Sequence, residues 1–245
     1  MYLVLCSAAD KSARWAYEGL RKRGVKPLEL ITSEELAYSR LWEHRVGEET
    51  PSIKIVLADG RTVSSGEVSG VLNRLLSAPK TLVNFAQGGD RDYALQELTS
   101  FYLSWLETLK GEVINRPEPQ GFCGRWRHNS EWAILAQRAG LPAPPYRQCA
   151  DDDPANGYGG LAPKNAKLQT VVVLKGKLFG ATMPQKIESA CLRFAALAEN
   201  DLLGVSLFEA GEREWNFAMA TPYPDLISGG EELISHLSKI WKGTN

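Results

Sequence analysis

A chain of 245 residues, 44% hydrophobic and 23% charged, has room for one large α/β domain or two modest ones. A formal charge of −1 and a pI near 6.3 exclude the basic excess on which a large nucleic-acid footprint depends. No uncharged apolar run approaches the roughly 20 residues of a membrane helix. Met1 to Ala9 lacks the basic start of an export signal, and Cys6, Cys123, Cys149 and Cys191 are scattered without metal spacing, as in a reducing cytoplasm.

In chain order, Tyr2 to Cys6 is a short continuous apolar run, the pattern of a strand buried on both faces. Ser12 to Arg23 follows with helical spacing and stops at Gly24. Val25 to Ile31 reads as a second strand, and Thr32 caps a helix whose first turn carries Glu34 and Glu35. This alternation predicts a parallel sheet with right-handed crossovers. Ser52 to Ala58 and Arg61 to Val63 alternate around Asp59-Gly60, a hairpin signal.

Gly70 to Asn73 is a buried strand that ends abruptly in Asn73-Arg74, and Val113-Ile114 ends the same way in Asn115-Arg116. Ligands of open α/β sheets bind beyond the carboxyl ends of strands, so parallel neighbours of this kind would put two guanidiniums on one rim; the alternative is that each arginine caps carbonyls or pairs with a local acid. Between them, Asp90 to Leu109 has a broad apolar stripe at helical period, with Glu97 as a carboxylate near that stripe. Past the Gly/Pro-rich stretch from Pro117, the cluster Arg125-Trp126-Arg127-His128 leads into a helix capped by Asn129 or Ser130 and closed by Gly140. Gathered at one rim, Asn73, Arg74, Asn115, Arg116, Arg125, Trp126 and His128 suit a carboxylate, a phosphate or a peptide, with Arg91 and Arg127 behind them.

Gln148 to Lys167 reads as a polar loop. Leu168 to Leu174 and Lys177 to Thr182 form a hairpin about Lys175-Gly176, Glu188 to Glu199 a helix, and Gly230 to Lys242 an amphipathic closing helix. Before that helix, Gly204 to Phe208 and Trp215 to Ala220 form a second apolar hairpin that runs into Thr221-Pro222-Tyr223-Pro224. The hairpin frames a site at a sheet end yet offers only Ser206, Met219 and Thr221 as its chemistry. No P-loop, zinc spacing or GxSxG elbow occurs, and Gly157 to Gly160 follows no strand. A weaker reading would use Glu97, His128 or Cys123 for different chemistry, with nearby cations activating the thiol.

The order of elements resembles the ATP-grasp superfamily, in particular the branch similar to ribosomal-protein glutamate ligases and graspetide ligases. The resemblance rests on Gly70-Val71-Leu72-Asn73-Arg74, on Asp90 to Glu97 with Trp105-Leu106, on Val113 to Pro117, on Asn129 to Pro145, and on Trp215 to Pro224. It implies a parallel-sheet pre-ATP-grasp-like domain over 1–118 and a reduced ATP-grasp-like α+β domain over 119–245 lacking the central lid. It also implies magnesium ligands on the last two strands, at positions that carry Ser206, Met219 and Thr221 here. A thioether cannot replace a charged oxygen on a hard cation.

The expectation is therefore a degenerate, non-catalytic ATP-grasp-like protein without cofactor or metal that binds an anionic small molecule, a peptide or a partner protein. The alternative is an ATP- and magnesium-dependent carboxylate-amine ligase that needs a partner chain. Either would be cytoplasmic, without nucleic-acid or membrane partners, and compatible with a homodimer.

Overall fold

The computed structural model describes residues 1–47, 50–84, 86–146, 162, 165–210 and 214–243. Most of the loop expected at Gln148 to Lys167, Cys149 included, and the tip of the last hairpin at 211–213 lie outside the described residues. Two compact units divide the chain: residues 1–124 with 234–245, and residues 125–233. The boundary expected after residue 118 falls inside the first unit.

In the first unit, β1 (Tyr2–Cys6), β2 (Leu28–Thr32), β6 (Gly70–Asn73) and β7 (Glu112–Ile114) form an all-parallel sheet in the order β2-β1-β6-β7. Its apolar strands are buried because helices cover such sheets. The first of these, α1 (Lys11–Lys22), starts at Asp10, whose carboxylate accepts from Ala13 N at 2.9 Å, and ends before Gly24 in the left-handed region at φ 73°. Thr32 and Glu35 make a reciprocal capping box on the short α2 (Ser33–Ala37), whose first turn carries acids as expected.

A three-stranded antiparallel meander, β3 (Leu41–Arg45), β4 (Ser52–Val56) and β5 (Thr62–Ser64), lies between α2 and β6 in sequence. The Asp59-Gly60 hairpin is its second turn, and β3 has no counterpart in the sequence expectations. Trp42 of β3 meets Phe101, Tyr102 and Trp105 of the long helix α3 (Gly89–Glu107) at ring separations of 5.2 to 5.5 Å, mostly edge to face. That contact is why the C-terminal half of α3 is the buried half.

In the second unit, α4 (Asn129–Ala139) and α5 (Gln185–Ala198) pack on one face of an antiparallel sheet ordered β11-β10-β8-β9. The strands are β8 (Leu168–Leu174), β9 (Lys177–Gly180), β10 (Leu202–Ala210) and β11 (Glu214–Thr221). The β8–β9 turn has Lys175 at φ 47° and Gly176 at φ 74°, the two positive angles a tight two-residue hairpin turn needs. Phe194 and Phe217, with ring centroids 5.2 Å apart, centre the core. The closing helix α6 (Gly230–Lys242) begins in the second unit and ends in the first, where Trp241 stacks on Tyr2 at 5.1 Å. Among the described residues no helix is long and apolar enough to cross a membrane.

Candidate functional site

The two Asn-Arg strand ends do come together, because β6 and β7 are parallel neighbours with Leu72 opposite Ile114. Their chemistry is turned inward. Asn73 is 1% exposed and its amide donates to the Asn115 carbonyl at 3.0 Å and the Phe122 carbonyl at 2.5 Å. Its side-chain oxygen accepts from Leu75 N at 3.3 Å, so both ends of the amide hold the chain together. Asn115 is equally buried and sits at φ 56°, a left-handed conformation that asparagine tolerates better than most residues.

Arg74 is a buried cation with its own buried counter-ion. Its Nε donates to Asp10 Oδ2 at 2.7 Å, with side-chain exposures of 2% and 3% for the pair. Because Asp10 also caps α1, one carboxylate ties the helix start to the end of β6. The neighbouring Cys6 thiol is pushed up to about 12, first by burial and then by the Asp10 carboxylate. Of the two guanidiniums considered for the rim, Arg74 is buried against an acid, the alternative the sequence left open, and Arg116 is exposed. Arg116 Nη2 reaches the Gly111 carbonyl at 3.4 Å and helps line an open cleft of about 760 Å³ with Val46, Ser104, Glu107 and Lys110. Glu97 is exposed on α3.

In the second unit, Arg125 pairs with Glu199, and its backbone N–H donates to Asn200 Oδ1 at 2.8 Å. Trp126 is 38% exposed. His128, rather than Asn129 or Ser130, caps α4, its Nδ1 accepting from Ser130 N at 3.3 Å. Arg127 bonds the Ala198 carbonyl at 3.3 Å, and in the first unit Arg91 bonds Asn84 at 3.3 Å. Cys123 is fully buried, which removes it as an accessible nucleophile.

The β10–β11 hairpin has the opposite character. Ser206 stands opposite Met219 and, across β8, opposite Thr170; Gly204 stands opposite Thr221. The register shifts between Ser206 and Leu207, which pairs with Phe217, so Ala218 is an extra residue on β11. This bulge decides which side chains reach the outer face. Phe217 and Ala220 both join the core cluster although three positions apart, and Met219 and Thr221 are thereby turned to the face away from α4 and α5. Sequence reasoning missed this bulge, since Ala218 carries none of the Gly, Pro or polar signals that mark irregular strands.

Three positions of one outward patch therefore hold a hydroxyl, a thioether and a hydroxyl. Ser206 Oγ lies 2.8 Å from Thr170 Oγ1, and Thr221 Oγ1 accepts from Tyr223 N at 3.1 Å. Met219 is 47% exposed. The magnesium ions that the resemblance implies for these positions need carboxylate oxygens, and the residues present do not fit them. Among the described residues no group of three or more His, Cys, Asp or Glu side chains is placed to hold a metal.

No protein-family profile matches the chain, and no curated protein matches it in sequence. Solved structures do match in fold. The macrocyclase MdnB of Microcystis aeruginosa MRC superposes with a TM-score of 0.72 at 13% identity, covering 98% of each chain. The macrocyclase MdnC of the same organism, bound with precursor peptide MdnA, gives 0.73 at 12%, covering 99% of each chain. A RiPP-associated ATP-grasp ligase of Chryseobacterium gregarium, in complex with ADP and a leader and core peptide, gives 0.71 at 11%, covering 100% of this chain and 97% of the other. A parallel sheet joined to antiparallel sheets, matched from end to end at this level, gives the chain an ATP-grasp-like fold.

Proposed function

We propose that this chain is a non-catalytic ATP-grasp-like protein that acts in the cytoplasm by binding a peptide or an anionic small molecule. The observation that carries this reading is the neutral patch of Ser206, Met219 and Thr221 on the outer face of β10–β11. Phosphoryl transfer depends on metal ions and cations that neutralise the charge developing on the phosphates, and these side chains supply neither. A peptide as the ligand is supported by the precursor, leader and core peptides bound to similar structures. Of the residues considered for the ligand, Glu97 and Arg116 in the first unit and Trp126 and His128 in the second are exposed.

Isothermal titration tests this reading. The purified chain gives no heat of binding with Mg-ATP and no hydrolysis, whereas Mg-ATP binding with turnover removes the proposal.

A second reading, a ligase completed by a partner chain, is favoured by the near-complete coverage of structures described as ligases and macrocyclases. It predicts an ATP-dependent mass change in a precursor peptide only when a second protein is added.

A further inference from the structure

In the first unit, β3 stands at the end of the order β3-β4-β5, and among the described residues no second strand pairs with it. An edge strand presents a row of N–H and C=O groups that templates pairing with another chain. We infer that the β3 strands of two copies of this chain pair antiparallel about a twofold axis at His44, joining two three-stranded sheets into one of six strands. The contact does not depend on what the chain binds.

Three observations carry it. Edges that resist pairing carry lysines, prolines or bulges, and β3, Leu-Trp-Glu-His-Arg in regular register with β4, has none of these. Apolar side chains flank the edge: Tyr38 and Leu41 at its start and Val46 at its end are exposed. The third observation is charge. Trp42 and His44 face α3, so Glu43 and Arg45 project together from the opposite face. Within one chain Arg45 Nε donates to Glu43 Oε1 at 2.7 Å, with both side chains accessible to solvent. Directly opposite residues of an antiparallel pair share a face, with Cβ atoms about 4.5–5.5 Å apart. With His44 opposite His44, Glu43 of each copy therefore faces Arg45 of the other, and the four charges alternate in sign. Centring the axis on Glu43 or on Arg45 instead sets like charges face to face. The His44 register also lays the exposed Val46 beside Trp42 of the second copy. The strand is its own complement, which commits the edge to a second copy of this chain. Five residues a side make this contact reversible rather than obligate.

Analytical ultracentrifugation of the full chain beside E43K, R45E and the charge swap E43R/R45E tests the inference. The natural chain sediments as a dimer at about 50 µM and dissociates on dilution. By symmetry each single variant creates two like-charge pairs, and it dimerises at least about tenfold more weakly. The swap restores the natural affinity. An equimolar mixture of E43K and R45E forms a heterodimer, because each supplies the charges the other lacks. Circular dichroism of every variant matches that of the natural chain, since the changed side chains are accessible to solvent. A natural chain that stays monomeric at this concentration overturns the inference. So does a dimer indifferent to both single variants, or one that they weaken and the mixture does not restore.

Discussion

The ends of β6 and β7 and the outer face of β10–β11 are opposites. The first pair of strand ends is rich in amide and guanidinium chemistry, yet Asn73 and Arg74 use it internally, against Asn115, Phe122, Leu75 and Asp10. The hairpin presents Ser206, Met219 and Thr221 outward on a bulged frame, and these three carry no charge. Reactive residue types at a sheet end therefore do not make a site when their partners are already built into the fold. A well-aimed frame does not make one either without carboxylate oxygens.

That comparison can be broken most decisively at the buried ion pair. Arg74→Met leaves Asp10 charged and unpaired in the core, and it costs about 3–5 kcal/mol of stability in urea unfolding. A variant as stable as the natural chain would return Arg74 to the list of ligand residues. A smaller loss is expected for Asn73→Ala, which strips the donor from two buried carbonyls and costs about 1–3 kcal/mol in the same measurement. Thiol labelling sharpens the picture of the interior. Cys6 and Cys191 are both pushed up to about 12 chiefly by burial, and they resist iodoacetamide in the folded chain at mildly alkaline pH while reacting after denaturation. The smallest effect belongs to the hairpin: Met219→Ala shifts stability by no more than about 0.5 kcal/mol, because its side chain is half in solvent.

The elements with local causes were legible in the sequence. Thr32 with Glu35, Gly140 after α4, and Lys175-Gly176 between β8 and β9 each impose their geometry on neighbours a few residues away. The parallel sheet followed from its apolar strands and their crossover helices. What could not be read depends on distant partners. Arg74 is neutralised by a residue 64 positions earlier, so nothing near Arg74 announces its burial. The strand β3 is held by aromatic contacts with a helix that starts more than forty residues later, and its Leu-Trp-Glu-His-Arg run carries no turn signal before it. The bulge at Ala218 is visible only in the pairing of β10 with β11, although the neutral chemistry of Ser206, Met219 and Thr221 was plain beforehand.

Crystals of the natural chain soaked with Mn²⁺ and a non-hydrolysable ATP analogue test the central claim most directly, through the anomalous signal of the metal. The account predicts no manganese peak on the outer face of β10–β11. A peak there, bridging the analogue's phosphates to side chains of this chain, would contradict it.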